Sequence, residues 1–369
     1  MKKWISLFLA TMLVLSVAGC GQNGTGQEDL SAGNDGVVSR GSEQTDTDSV
    51  SEPSQVPDGT ANGETVSESK DTMVSSDTNI VANGDTPIVY MTTDISPEGL
   101  MAIYEALGAE PTGEIAVKIS TGENGSNYLR PELIGDLVQE LDATIVECNT
   151  AYGGQRANTA MHYQLAEDHG YTAIADVDIM DEDGSMTLEV SGGDNLTENY
   201  VGAHFADYDY YVILSHFKGH AMAGYGGAIK NISIGIASSE GKTHIHTGGR
   251  GGSMWSADQD SFLESMAEAG KSVTDYLGGN ILYINVMNRL SVDCDCDGNP
   301  SEPDMHDIGI LASFDPVAVD QACIDLVYSA EDGQSLINRI ESRNGLHTLE
   351  QAEKIGLGSR EYQLVLIDE

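Results

Sequence analysis

"EIAVKISTGENGSNYLRPELIGDLVQELDATIVEC", residues Glu114–Cys148, decides the fold, because it reads as strand, loop, helix and strand in one sweep. "EIAVKIS" is a short apolar run bounded by turn residues. "RPELIGDLVQEL" opens on a proline and sets Leu133, Leu137 and Leu141 at i, i+4 and i+8, the spacing of one helix face. "ATIVECN" is a second apolar run. Strands that alternate with crossover helices imply a mostly parallel sheet.

The same alternation extends outward on both sides. Upstream, "PIVYMTT" reads as a strand and "SPEGLMAIYEALG" as a helix capped by Ser96 with Pro97 at its first position. Downstream come "NTAMHYQLAEDHG" (helix), "YTAIADVD" and "YDYYVILS" (strands), and "GGAIKNISIGIA" (a glycine-led helix or turn). "DQDSFLESMAEAGKSVTDYL" predicts a long amphipathic helix, followed by the strands "NILYINVM" and "DIGILASF". The helix "PVAVDQACIDLVYSA", two short helical stretches and the strand "YQLVLID" complete the series. Residues 86–369 are thus expected to form one α/β domain, a mostly parallel sheet with crossover helices on both faces. In such sheets the chemistry sits in the loops beyond the carboxyl ends of the strands. Four loops qualify, after "AVKIS", "TIVECN", "YYVILS" and "LYINVMNRL".

Two further segments precede that domain. "MKKWISLFLATMLVLSVAGC" joins two lysines to an apolar run and ends "VAGC", which predicts a lipoprotein signal peptide over residues 1–19 with lipidation at Cys20. Residues 20–85 are rich in Gly, Ser, Thr, Asp and Glu and poor in large apolar side chains, so they read as a disordered acidic tether. The expected location is the cell membrane, lipid-anchored and facing outside the cytoplasm. The whole chain carries a net charge of −42, and residues 86–369 alone hold 46 acidic residues against 13 Lys and Arg. Such a field repels phosphate polymers, so nucleic acid is not an expected partner.

Against that acidity, local cations and soft ligands are informative. "SHFKGHAMAGYGGAIKNISIG" (215–235) places His216 and His220 four residues apart, a spacing open to a shared metal or to ordinary loop hydrogen bonds. Its glycines satisfy neither the Walker A pattern nor the dinucleotide fingerprint. What remains is an anion nest at Gly226, Gly227 and Ala228 with Lys230 nearby, or simply close packing of a helix on the sheet. "GKTHIHTGGRGG" adds Lys242, His244, His246 and Arg250, with both histidines on one side if the segment is extended. These cations point to a small anionic molecule as partner. "SVDCDCDG" sets Cys294 and Cys296 one residue apart among aspartates, which favours metal chelation over a disulfide. Cys148, Cys323, His306 or a histidine of the 244–246 segment are open as further ligands. Four thiolates suit an iron–sulfur cluster; two with histidine suit zinc or iron.

Taken in order, "AVKISTGENGSNYLRPELI", "VECNTAYGGQRANTAMHYQLAEDHG", "SHFKGHAMAGYGGAIKNISIG", "GKTHIH" and "DCDC…DIGILASFDPVAVDQACIDL" resemble the domain-of-unknown-function 362 family over nearly all of residues 87–369. The resemblance implies an α/β protein of iron–sulfur type, with redox chemistry at iron as the expectation. Lys118, Gly122, Glu123, Lys230, Lys242, His246 and the Cys-x-Cys pair match the family's blocks. Two departures stand out. The place of the family's inserted ferredoxin-like segment holds only "TGGRGGSMWSAD", and Ser120 stands where members often carry histidine.

Three functional readings follow. One is a membrane-anchored metalloprotein with Cys294, Cys296, His216, His220 and Cys148 as metal candidates and Lys118, Gly226, Gly227 and Lys242 as anion contacts. Another is a non-redox isomerase or lyase with Lys230 and His246 moving protons. The last is a surface lipoprotein that captures metal or anion without catalysis.

Overall fold

The structure, a computed structural model, describes residues 86–368; the predicted signal peptide, Cys20 and the acidic tether lie outside the described residues. Strands and helices follow one another in chain order. β1 (Ile88–Thr92), α1 (Pro97–Leu107), β2 (Ile115–Lys118), α2 (Pro131–Glu140), β3 (Thr144–Glu147), α3 (Thr159–Asp168) and β4 (Val177–Ile179) form the first half. A hairpin, β5 (Ser185–Glu189) and β6 (Glu198–Gly202), leads to β7 (Tyr210–His216) and the small pair β8 (Lys218–His220) and β9 (Gly224–Gly226). Next come the single turn α4 (Ala228–Lys230), a π-helical turn (Asn231–Gly235), α5 (Ser239–His246) and α6 (Gln259–Leu277). β10 (Ile281–Met287), β11 (Gly309–Ser313), α7 (Pro316–Ser329), α8 (Gln334–Ser342), α9 (His347–Lys354) and β12 (Gln363–Leu366) complete the domain.

Eight strands form one sheet in the order β12-β1-β11-β10-β7-β2-β3-β4. Only β11 runs antiparallel to its neighbours; the remaining pairings are parallel. The reason is local. No helix lies between β10 and β11, so the chain returns through a loop and pairs antiparallel, whereas each parallel pair needs a crossover.

Alternation along the central strands builds two cores. In β7, Val212 and Leu214 join α1 and α2 on one face, while Tyr211 and Ile213 join α4 and α7 on the other. In β10, Leu282, Ile284 and Val286 take the first face, Ile281 and Tyr283 the second. Strands buried on both faces read as unbroken apolar runs, which is why "YYVIL" and "ILYINVM" show no polar alternation.

Helix caps follow the sequence signals in part. Ser96 Oγ accepts from Gly99 N, and Gly108 closes α1 at φ 64°. Two expectations change. "YTAIADVD" forms a 3-10 turn over Tyr171–Ala173 before the short β4, because Tyr171 is drawn under the sheet edge and donates to Leu129 O at 2.6 Å. "GKTHIH" is helical rather than extended, since Ser238 caps α5 by accepting from Gly241 N at 3.1 Å. Lys242 and His246 therefore share a helix face, one turn apart.

Candidate functional site

The carboxyl ends of β2, β3, β7 and β10 lie side by side, and the residues ending the first three are Lys118, Glu147 and His216. The loop after β10 carries Cys294 and Cys296 to the same rim. Together with the segments after β8 and β9 they enclose a cavity of ≈ 350 Å³. Lys118, Arg156, Lys218, Lys230 and Lys242 all line it, five of the 13 Lys and Arg of residues 86–369. Its acidic lining is Glu147, Asp295 and Asp297. A cation-rich cavity in so acidic a chain concentrates small anions.

Not all five cations are available to a ligand. Lys118 Nζ donates to Ile119 O at 2.6 Å, Asn231 Oδ1 at 3.0 Å and Glu147 Oε2 at 3.2 Å, which uses all three of its protons. Burial lowers the Lys118 pKa against the attraction of Glu147. Burial also works against ionisation of Glu147, yet Lys118, then Arg156, hold its carboxyl down at about 2. Arg156 is shared between Glu147 (Nη1–Oε1 3.6 Å) and Glu123 (Nε–Oε1 3.0 Å). Lys218 donates to His216 O and pairs closely with Asp295. Two ammonium groups remain without a carboxylate partner among the described residues. Lys242 Nζ donates only to Ala237 O at 2.6 Å, and Lys230 Nζ has no hydrogen-bond partner among the described residues.

Asp295 explains the Cys-x-Cys spacing. Its side chain is buried, accepting from Lys218 and lying 3.1 Å from His216 Nδ1, and its carbonyl accepts from Glu123 N at 2.7 Å. Asp295 thus pins the loop to β7, β8 and the loop after β2, and the half-buried Cys294 and Cys296 flank that anchor. Donor atoms of Cys294, Cys296 and His220 lie within 4.8 Å of one another. Hydrogen bonding from Cys294 outweighs burial and, with Arg156, His220 and Lys230, holds the Cys296 thiol well below its usual range. The Cys294 thiol is pushed up by the same hydrogen bond and by burial.

His220 and His246 both engage the backbone through Nδ1 but differ in tautomer. His220 Nδ1 accepts from Met222 N (3.2 Å) and Ala223 N (2.9 Å), so the neutral ring carries its proton on Nε2, beside Cys296. His246 Nδ1 donates to Lys242 O at 2.6 Å, which leaves the Nε2 lone pair free. Burial is the main cause that lowers both rings to about 4, so both are neutral at pH 7. Two thiols and an imidazole suit a thiophilic cation such as zinc or iron. Such an ion would be held by Cys294, Cys296 and His220, the last only on loss of its Nε2 proton, since Nδ1 accepts from two amides instead of donating as the second nitrogen of a ligating imidazole usually does.

Other sequence candidates take different places. His216 has both ring nitrogens engaged, with Asp295 and with Asn288 O at 2.7 Å, and does not join the Cys294–Cys296–His220 group. Cys148 lines the cavity but donates to Ile236 O at 3.3 Å, and burial pushes its thiol up to about 12. Cys323 is buried in α7 and His306 pairs with Asp332 on the surface. Only two thiols converge among the described residues, which leaves a four-thiolate cluster without its ligands. Gly226 and Gly227 line the cavity, but the amides of Ala228 and Ile229 are taken by Asp320 at 2.7 and 3.0 Å. The nest is filled by the protein's own carboxylate. Gly227 is needed there, because a Cβ would come within 2.3 Å of Asp320 Oδ1.

Sequence reasoning missed Arg156, Asn231, Asp320, Tyr152 and Trp255. Arg156 was visible as a lone cation in the loop after the third strand. Asp320 was visible as one of two acids on a largely apolar helix. Asn231, which holds Lys118 and donates to Ser215 Oγ at 3.1 Å, carried no signal of its own.

No curated protein sequence matches the chain. Among solved structures, the lactate racemase apoprotein from Thermoanaerobacterium thermosaccharolyticum is similar at 13% identity and a TM-score of 0.39, covering 64% of this chain and 56% of that one. A protein from Thermotoga maritima is similar at 11% identity and a TM-score of 0.36, covering 70% and 58%. The chain spans little more than half the length of either. The model of the family described as domain of unknown function (DUF362) matches residues 115–325, from β2 into α7 and across every cavity residue named above; the chain belongs to that family.

Proposed function

We propose that the protein is a membrane-anchored, extracytoplasmic metal-binding protein whose cavity takes a small anion beside a mononuclear centre on Cys294, Cys296 and His220. The observation that carries the reading is the convergence, on one cavity of a chain of net charge −42, of five cations with the thiol–imidazole group. Convergence of two thiols favours a single zinc or iron ion over an iron–sulfur cluster. When bound, such an ion supplies Lewis-acid polarisation of a ligand oxygen or, if iron, one-electron chemistry. Lys230 and Lys242 hold and orient the anion, Asp295 fixes the loop that bears the thiols, and Tyr152 and Arg156 line the cavity with Cys296. Attachment through Cys20 supplies the membrane location; no described helix is long and apolar enough to cross a membrane.

Metal content decides the central claim. The full chain, purified without oxygen, is expected to hold close to one zinc or iron per molecule, and Cys294→Ser/Cys296→Ser to hold none. Equal metal in both proteins, or none in either, sinks the metal site. A second reading, acid–base catalysis without redox, is favoured by His246. Its ring is neutral, stacked on Phe262 at 4.6 Å, and locked by Lys242 O with the Nε2 lone pair free, as a general base requires. Proton exchange from a bound anion that survives the cysteine double variant but not His246→Gln would establish it.

A further inference from the structure

Trp255 is 70% exposed, more than any other large hydrophobic side chain among the described residues. Tryptophan left in water forgoes one of the largest apolar burials available to a side chain, so an exposed one at a cavity is a contact surface awaiting its partner. Trp255 does line the cavity, and so do Tyr152, Met222 and Met254. The Tyr152 and Trp255 rings lie 6.4 Å apart at 58°. Tyr152 also accepts from Arg156 Nη2 at 3.4 Å and lines the same cavity as Cys294 and Cys296. Trp255 itself sits on a strap, Thr247–Asp258, in which Gly248, Gly249, Gly251 and Gly252 all have φ between 60° and 97°, the left-handed region that glycine adopts without penalty.

We propose that the anion taken by this cavity carries a planar aromatic ring, which lies against Trp255 and Tyr152 while its anionic group meets Lys230 and Lys242. The proposal rests on the anion-binding reading and adds the chemical class. Charge complementarity selects the occupant: the two ammonium groups lacking carboxylates line the same cavity as the two rings. An aliphatic acid would satisfy the ammonium groups but leave the π faces without a partner that stacks. A cavity of ≈ 350 Å³ lies at the small end of ligand sites, about 300–1,000 Å³, which suits one or two fused rings and no polymer. A membrane surface is the competing partner for an exposed tryptophan, but it would leave the Tyr152 ring and the ammonium groups of Lys230 and Lys242 in the cavity without an occupant.

Three probes of similar size separate the terms: benzoate, cyclohexanecarboxylate (same charge, no π face) and benzamide (same ring, no charge). Their binding to the processed protein, which begins at Cys20, is measured by calorimetry, and its emission follows Trp255 alone, because the chain's other tryptophan, Trp4, lies in the expected signal peptide. Benzoate is expected to bind about tenfold more tightly than either analogue. Trp255→Ala should erase its advantage over cyclohexanecarboxylate, and Lys230→Met its advantage over benzamide. Equal binding of the two carboxylates overturns the aromatic inference and leaves the anion reading standing. No binding of any carboxylate overturns both. Emission that shifts with vesicles of anionic lipid but not with 4-nitrobenzoate assigns Trp255 to the membrane and overturns the inference.

Discussion

Glu147→Gln tests the electrostatic frame of the cavity, because glutamine keeps the size of the side chain and imitates the protonated acid. Glu147 lies 3.2 Å from Lys118 and 3.6 Å from Arg156, with both its partners almost fully buried, and it accepts from Cys148 N at 2.9 Å and Thr121 N at 3.3 Å. Its carboxyl is drawn from 4.5 down to about 2 although burial opposes that. At about 1.4 kcal/mol per tenfold change in proton affinity, that displacement corresponds to roughly 3 kcal/mol of folding stability at pH 7. The cost of stranding a buried charge, about 3–5 kcal/mol, agrees in size. The sign is that of a depressed acid: the stabilisation is complete above pH 4.5 and is lost as pH falls toward 2. Urea unfolding of the full chain, followed by circular dichroism at pH 7, 5 and 3, reads it. Glu147→Gln should lose about 3 kcal/mol at pH 7, and the gap from wild type should narrow by pH 3. Adding Lys118→Met should recover part of the loss, since the charge left unpaired is then removed. A gap below about 1 kcal/mol at pH 7, or one that stays constant down to pH 3, refutes the reasoning.

Gly235→Ala should destabilise the protein by about 1–3 kcal/mol in the same assay, because a Cβ there would lie 2.6 Å from Asn231 Oδ1 and 2.9 Å from Lys118 Nζ. A neutral outcome would show that the π-helical turn yields without cost. At the other end of the chain, metabolic labelling with palmitate in a bacterial host should mark the wild type and not Cys20→Ser, with the variant released from the membrane fraction. Labelling that persists in Cys20→Ser removes the anchor from the proposal.

Much of the architecture was legible in the residues. Unbroken apolar runs such as "YYVIL" can only be strands covered on both sides, and the helices between them dictate parallel pairing. The residues of the rim were legible too: Lys118 and His220 end strands, Lys230, Lys242 and His246 lie on the short helices that follow, the Cys-x-Cys pair lies in a loop, and all line the cavity. The antiparallel β11 was hidden because the loop from β10, though it lacks a helix, is long enough to allow either direction.

Which of those residues are free for chemistry was decided by the tertiary structure alone. Lys118 and Lys230 look alike in sequence, yet the first spends every proton on partners as far away as Asn231, 113 positions on, while the second spends none. Ala228 and Ile229 offer amides that any anion would suit, and Asp320, 92 positions from Ala228, arrives to fill them. His216 and His220 differ only in whether neighbouring groups satisfy both ring nitrogens or one. Sequence determines which donors, acceptors and charges are present and on which rim they gather. Pairing consumes them through space at distances of about 3 Å, and only the folded chain sets which groups come that close.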